Sequence, residues 1–134
     1  MKNFTTFPQL NENELNTLPI STLAWVGDAV YSLIAREFEL SKFQGKPNKL
    51  HKMATSLVNA KAQSDALDKI AHTLNEREQS IVRRARNSPI TTKSKNYGLA
   101  EYKKATGLEA LFGYLYLSNK QERIDEILNI ILGE

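Results

Sequence analysis

The run Leu23-Ala24-Trp25-Val26-Gly27-Asp28-Ala29-Val30-Tyr31 places one carboxylate, Asp28, inside an otherwise apolar segment reaching from Thr22 to Ala35. Wound at about 3.6 residues per turn, Leu23, Val26, Val30, Leu33 and Ile34 share one helical face. The opposite face carries small residues and the acid: Ser21, Ala24, Asp28 and Ala35. Trp25 and Ala29 fill most of the remaining circumference, so the pattern predicts a helix buried nearly all round. An ionised Asp in such a place needs a partner charge, hydrogen bonds or a metal, because desolvating it alone is costly. Helix capping is the plain alternative, but the apolar periodicity continues on both sides of Asp28 and argues against it. Pairing with an arginine stays open.

A second segment repeats the design. Ala105-Thr106-Gly107-Leu108-Glu109-Ala110-Leu111-Phe112-Gly113-Tyr114-Leu115-Tyr116-Leu117 is apolar except for Glu109, and one helical turn from that acid stand Ala105, Thr106, Phe112 and Gly113. Gly27, Gly107 and Gly113 each cost a helix interior about 1 kcal/mol relative to Ala. Close helix–helix approach explains that tolerance. Two acid-bearing stripes of small residues can lie together and bring Asp28 beside Glu109. Carboxylates held that close repel unless a cation separates them, and oxygen ligands suit a hard divalent ion such as magnesium.

The bounds are ordinary. A length of 134 residues, 41% hydrophobic and 25% charged, fits one domain over 1–134 with a real core. With no cysteine there are no disulfides and no thiolate metal sites, and a reducing cytosol, hence a cytoplasmic location, is expected. Met1 to Pro8 lacks an apolar signal core, and no apolar run approaches the ~20 residues of a membrane span. Net charge of +3 permits a nucleic-acid partner without requiring one.

The pattern along the chain is helical. A polar lead-in, 1–18, holds a turn near Asn11–Thr17, and the signature helix follows Pro19 to about Leu40. Residues 41–48 read as a loop with Asn48 capping the next helix, whose spacing persists to Leu74 with a break near Thr55–Leu57. Asn75 opens another helix ending near Arg86 or Asn87, and 87–98 is a polar, basic loop. Helices resume at about Leu99–Ser118 and Lys120–Leu132, and no period-two strand pattern is sustained. The expected fold class is all-α. His51 and His72 lack ligand spacing and read as structural or surface residues.

Positive charge collects around the basic loop. Arg83, Arg84 and Arg86 lead into it, Lys93 and Lys95 lie in it, and Lys103 and Lys104 follow. Seven of the 18 Lys and Arg residues thus fall within 22 positions, where Glu101 is the sole acid. Cations at a helix C-terminus can be simple solvated ends. Arginine forks beside a basic loop also suit phosphate backbones. Lys42, Lys46, Lys49 and Lys52 form a thinner second set.

These residues carry a resemblance. Leu23–Tyr31 resembles the signature of the ribonuclease III family around its Gly-Asp-Ala core, and Leu108–Tyr114 resembles that family's second acidic motif, Glu-Ala-Leu-x-Gly. The length and the Arg84-Ala85-Arg86-Asn87 run ahead of a basic loop are more closely similar to the short bacterial form, which lacks a separate double-stranded-RNA-binding domain. The resemblance implies a ribonuclease III-like helical endonuclease domain with Asp28 and Glu109 as catalytic metal ligands. The cofactor implied is Mg2+, for which Mn2+ can substitute. Longer members carry further acids where this chain has Ser21, Ala24 and Thr106, so magnesium is expected to keep several waters.

The implied reaction is metal-assisted hydrolysis of double-stranded RNA by a homodimer. Arg83, Arg84, Arg86, Lys93, Lys95 and Lys103 would hold the RNA. For the short form the implied task is maturation of large-subunit (23S) ribosomal RNA, with ribosomal proteins presenting the substrate. Two rivals are a catalytically silent RNA-binding fold and a helical interaction module without nucleic acid. Retention of both acids opposes the first, and the crowded basic residues oppose the second.

Overall fold

The computed structural model describes residues 10–42, 46–89 and 98–133, and within them every side chain but those of residues 50, 51 and 53–55. All secondary structure among the described residues is helical, in agreement with the all-α expectation. Residues 1–9 of the polar lead-in and 90–97 of the basic loop lie outside the described residues.

Local chemistry starts most of these helices. Helix α1 (Glu12–Thr17) opens with a capping box. The Asn11 side chain accepts from the Glu14 amide at 2.8 Å, and Glu14 accepts from the Asn11 amide at 2.9 Å. Helix α2 (Ile20–Lys42) starts directly after Pro19 and runs two residues beyond the expected end at Leu40. Helix α3 (Pro47–Val58) departs from the sequence reading: Lys46, not Asn48, occupies the cap position, and Pro47 enters the first turn. Proline suits that place because its φ is already helical and its missing N–H would have no partner there.

The expected break near Thr55–Leu57 falls instead at Asn59. This residue ends α3 and caps α4 (Ala60–Ile70), accepting from the Ala62 amide at 2.8 Å. A short 3-10 turn, Ala71–Thr73, leads to α5 (Glu76–Arg86), whose Asn75–Glu78 capping box fixes its start. Helices α6 (Leu99–Leu117) and α7 (Gln121–Leu132) match the expected spans within a residue, and Gly133 closes α7 in a left-handed conformation at φ 71°.

The second acidic segment is the core of the molecule. Leu108, Ala110, Leu111, Phe112 and Leu115 of α6 are fully buried, and α2, α4 and α5 pack around them. Where α2 crosses α6 the two backbones touch: a Cβ on Gly27 would overlap the Glu109 carbonyl, and one on Gly113 would overlap the Leu23 carbonyl. Gly107 serves α5 instead, with Val82 Cγ1 3.1 Å and Arg86 Cγ 3.3 Å from where its Cβ would stand. Tyr31 meets Phe112 edge to face at 5.0 Å beside the crossing. Arg123 of α7 donates to both oxygens of the buried Glu78 at 2.9 Å, tying α7 to the start of α5.

One expectation is corrected. Helix α2 is not buried nearly all round: Trp25 is 76% exposed, Leu33 is 47% exposed, and Asp28 and Ala29 are also exposed. Its buried line is Leu23, Gly27, Tyr31, Ala35 and Glu39, repeating every four residues toward the core. Among the described residues, Trp25 and Leu33 on the other side find no such cover.

Candidate active site

The glycine crossing sets the geometry of the acids. With Gly27 pressed on the backbone of Glu109, the next side chain of α2, Asp28, emerges beside the Glu109 carboxyl, and the two share a hydrogen bond. Glu109 is the deeper of the pair and Asp28 stands at the mouth. Burial, then the Asp28 charge and their shared hydrogen bond, push the Glu109 carboxyl up from 4.5 to about 8. The amide of Gln63 opposes that rise, its Nε2 donating to Glu109 Oε2 at 3.4 Å.

Both acids line one cleft of about 240 Å³ between α2, the end of α5 and α6. Ser21, Ala24 and Thr106 line the same cleft, so the positions at which longer relatives are expected to carry acids do face the site. Among the described residues no cluster of three or more His, Cys, Asp or Glu side chains offers a metal site. The donor set nevertheless fits a hard divalent cation. Two carboxylates forced together repel when ionised, and a cation relieves that repulsion while leaving room for water ligands.

The basic residues divide by position. Arg83 and Arg86 line a neighbouring cleft of about 730 Å³ between α5 and the start of α6, and Lys103 lines both clefts, forming the ridge between them. Arg84 is exposed but lines neither. Lys104 is engaged by Asp68 at 2.9 Å. Lys93 and Lys95 lie outside the described residues, as does the side chain of His51. Lys42, Lys46, Lys49 and Lys52 are exposed, and none of them lines the acidic cleft. His72 is exposed, in line with its reading as a surface residue.

Gln63 is the site residue that the sequence reading missed. It lies on the buried stripe of α4 with Ala66, Leu67 and Ile70 and is only 3% exposed. An amide on an apolar stripe was the available signal, but its partner is 46 residues away and invisible to periodicity.

Comparison with known proteins shows the family. The model of the Ribonuclease III domain matches residues 21–120, which include both acids and most of the basic residues. The chain belongs to the ribonuclease III family. It is similar to the Mini-ribonuclease 3 of Brevibacillus brevis, 47% identical over 84% of this chain and 87% of that one. The Mini-ribonuclease 3 of Clostridium tetani is 36% identical over 99% of this chain and 89% of its own. A crystal structure of a Fusobacterium nucleatum protein superposes with a TM-score of 0.79 at 36% identity, covering 89% of this chain and 95% of that one. As a ribonuclease III family member, the chain is an endoribonuclease, a hydrolase acting on RNA. No helix among the described residues is long and apolar enough to cross a membrane.

Proposed function

We propose that this ribonuclease III family enzyme is a single-domain, magnesium-dependent nuclease that cuts double-stranded RNA and matures large-subunit ribosomal RNA. The observation that carries the reading is the meeting of Asp28 and Glu109 in one cleft with Lys103 on its rim. A bound divalent ion supplies Lewis acidity toward a phosphoryl oxygen and acidifies water. Asp28 and Glu109 would hold it, Asp28 from the open side and Glu109 from the buried side.

The chain's other residues act on the RNA. Arg83, Arg86 and Lys103 line the surface through which a phosphate backbone enters the acidic cleft, so they would grip phosphates beside the scissile one. An A-form duplex is read mainly through backbone and shape, which suits a basic rim without a dedicated base-reading element. Trp25 borders both the acidic cleft and an apolar groove of about 400 Å³ formed with Val26, Ala29, Val30, Leu33 and Tyr116. That uncovered face supports a homodimer joined along α2. Two acidic clefts flanking one interface would then address the two strands of one duplex. Assignment to ribosomal RNA presented by ribosomal proteins rests on similarity to the short bacterial members.

The test is incubation of the purified protein with a long perfect RNA duplex, with magnesium or with chelator, beside Asp28→Asn and Glu109→Gln. Magnesium-dependent internal cuts, lost in both variants, are expected. Salt-sensitive binding without cleavage would instead identify a silent RNA-binding fold.

A further inference from the structure

We infer that Gln63 is a positioning residue for the acid pair: its amide holds Glu109 Oε2 and leaves Oε1 as the oxygen offered to the cleft and its cation. The inference rests on the reading of Asp28 and Glu109 as metal ligands. Three observations lead to it. Gln63 belongs to α4, which supplies no lining residue to the acidic cleft, yet its Nε2 reaches Glu109 Oε2 at 3.4 Å. It is 3% exposed, and the other buried residues of α4 are Ser64, Ala66, Leu67 and Ile70, so its long amide side chain sits where an apolar one would avoid the cost of desolvation. Helix α4 packs extensively on α6, so the donor is anchored to the same core that fixes Glu109.

The chemistry needs such a brace. A glutamate reaches its ligand position through three rotatable bonds, and among the described residues only Asp28 accompanies it, with no third acid to restrict where the carboxylate turns. Asp28 repels an ionised Glu109 and drives it away from the shared site. A neutral donor on the far oxygen opposes that swing without competing for the ion. Outer hydrogen bonds of this type, when removed, typically weaken metal affinity about 10–100-fold.

The test uses the full chain and Mn2+ as probe. Binding of Mn2+ is followed in the absence of RNA by loss of the free-ion electron paramagnetic resonance signal, for wild type, Gln63→Met, Gln63→Glu and Glu109→Gln. Gln63→Met matches the volume but lacks the donor, and Gln63→Glu replaces the donor with an acceptor. Both should bind Mn2+ about 10–100-fold more weakly than wild type. The magnesium concentration giving half-maximal cleavage should rise in proportion. Cleavage at saturating metal should return to within a few-fold of wild type, and duplex binding in chelator should not change.

Wild-type Mn2+ affinity in a folded Gln63→Met overturns the inference while leaving the metal site intact. Equal Mn2+ binding by wild type and Glu109→Gln overturns the metal-site reading itself. If neither Gln63 variant folds, a manganese-bound crystal structure of the wild type decides. Gln63 Nε2 on Glu109 Oε2 upholds the inference, and an amide turned away from Glu109 refutes it.

Discussion

Gly27→Ala should separate the two acid-bearing helices, α2 and α6. The new methyl group would meet the Glu109 carbonyl oxygen and carbon and lie 2.8 Å from the Gly113 amide nitrogen. All three obstacles are backbone atoms of α6, so no side chain can rotate aside. Relief requires α2 and α6 to move apart by about 2 Å to restore ordinary carbon contact distances. Alanine gains about 1 kcal/mol of helix propensity over glycine. Overpacking typically costs about 1–3 kcal/mol, and against unyielding backbone the cost rises to about 3–5 kcal/mol. A net loss of about 2–4 kcal/mol is therefore expected, or a melting temperature lower by roughly 10 °C in a chain of this size.

Gly107→Ala is the matched control. It receives the same propensity gain, but its closest neighbours are Val82 Cγ1 and Arg86 Cγ, side-chain atoms that can shift by a few tenths of an ångström. Its stability should stay within about 1 kcal/mol of wild type. Thermal and urea unfolding, followed by circular dichroism, give the comparison. RNA cleavage at a temperature where both variants are folded adds a second readout. Because the displaced carbonyl belongs to Glu109, Gly27→Ala should also cleave at least ten-fold more slowly than Gly107→Ala. Equal melting temperatures for the two variants would refute the close-crossing argument.

Three further outcomes are expected. Glu109 titrates at about 8 in the folded chain against 4.5 as its ordinary value, so the folded state retains a proton that the unfolded chain has released. Stability in chelator should then be greatest below about pH 4.5 as far as this group is concerned, and fall as pH rises toward 8. Glu109→Gln abolishes that contribution and should be the more stable protein at pH 8, by on the order of 2–4 kcal/mol. Parallel melting curves for the two across that range would contradict the assigned environment. Arg123→Met strands the Glu78 carboxylate, whose side chain is 2% exposed, and should cost about 3–5 kcal/mol in urea unfolding. Adding Glu78→Gln should recover part of that loss. Trp25→Glu puts a charge on the uncovered α2 face. Light scattering should show wild type at twice the 15.2 kDa chain mass and the variant at the single mass. A wild-type monomer at micromolar concentration would remove the dimer.

Much of this was legible from the sequence because the controlling interactions are local or periodic. Asn75 with Glu78 three residues on announces the start of α5 through a capping box that the structure contains. The glycines among apolar residues of α2 and α6 point to a close crossing, and Gly27 with Gly113 makes one. Other features depend on what an element meets in space. The apolar circumference of α2 says that Trp25 wants cover but not where it comes from, and among the described residues it stays 76% exposed. The α3–α4 break could not be placed at Asn59 by spacing alone, because Leu57, Val58 and Ala62 keep helical pitch across it. Lys104 looks like Lys103 in sequence, yet Asp68 of α4 holds it while Lys103 faces the clefts. Gln63 likewise acquires meaning only through α4 packing on α6.

Anomalous scattering from crystals grown with manganese would locate the ion itself. The expected result is a peak within coordination distance of one Asp28 oxygen and of Glu109 Oε1, lost in crystals of Glu109→Gln. Peaks only elsewhere, or the two acids still hydrogen-bonded to each other at saturating manganese, would contradict a metal-dependent nuclease centred on this pair.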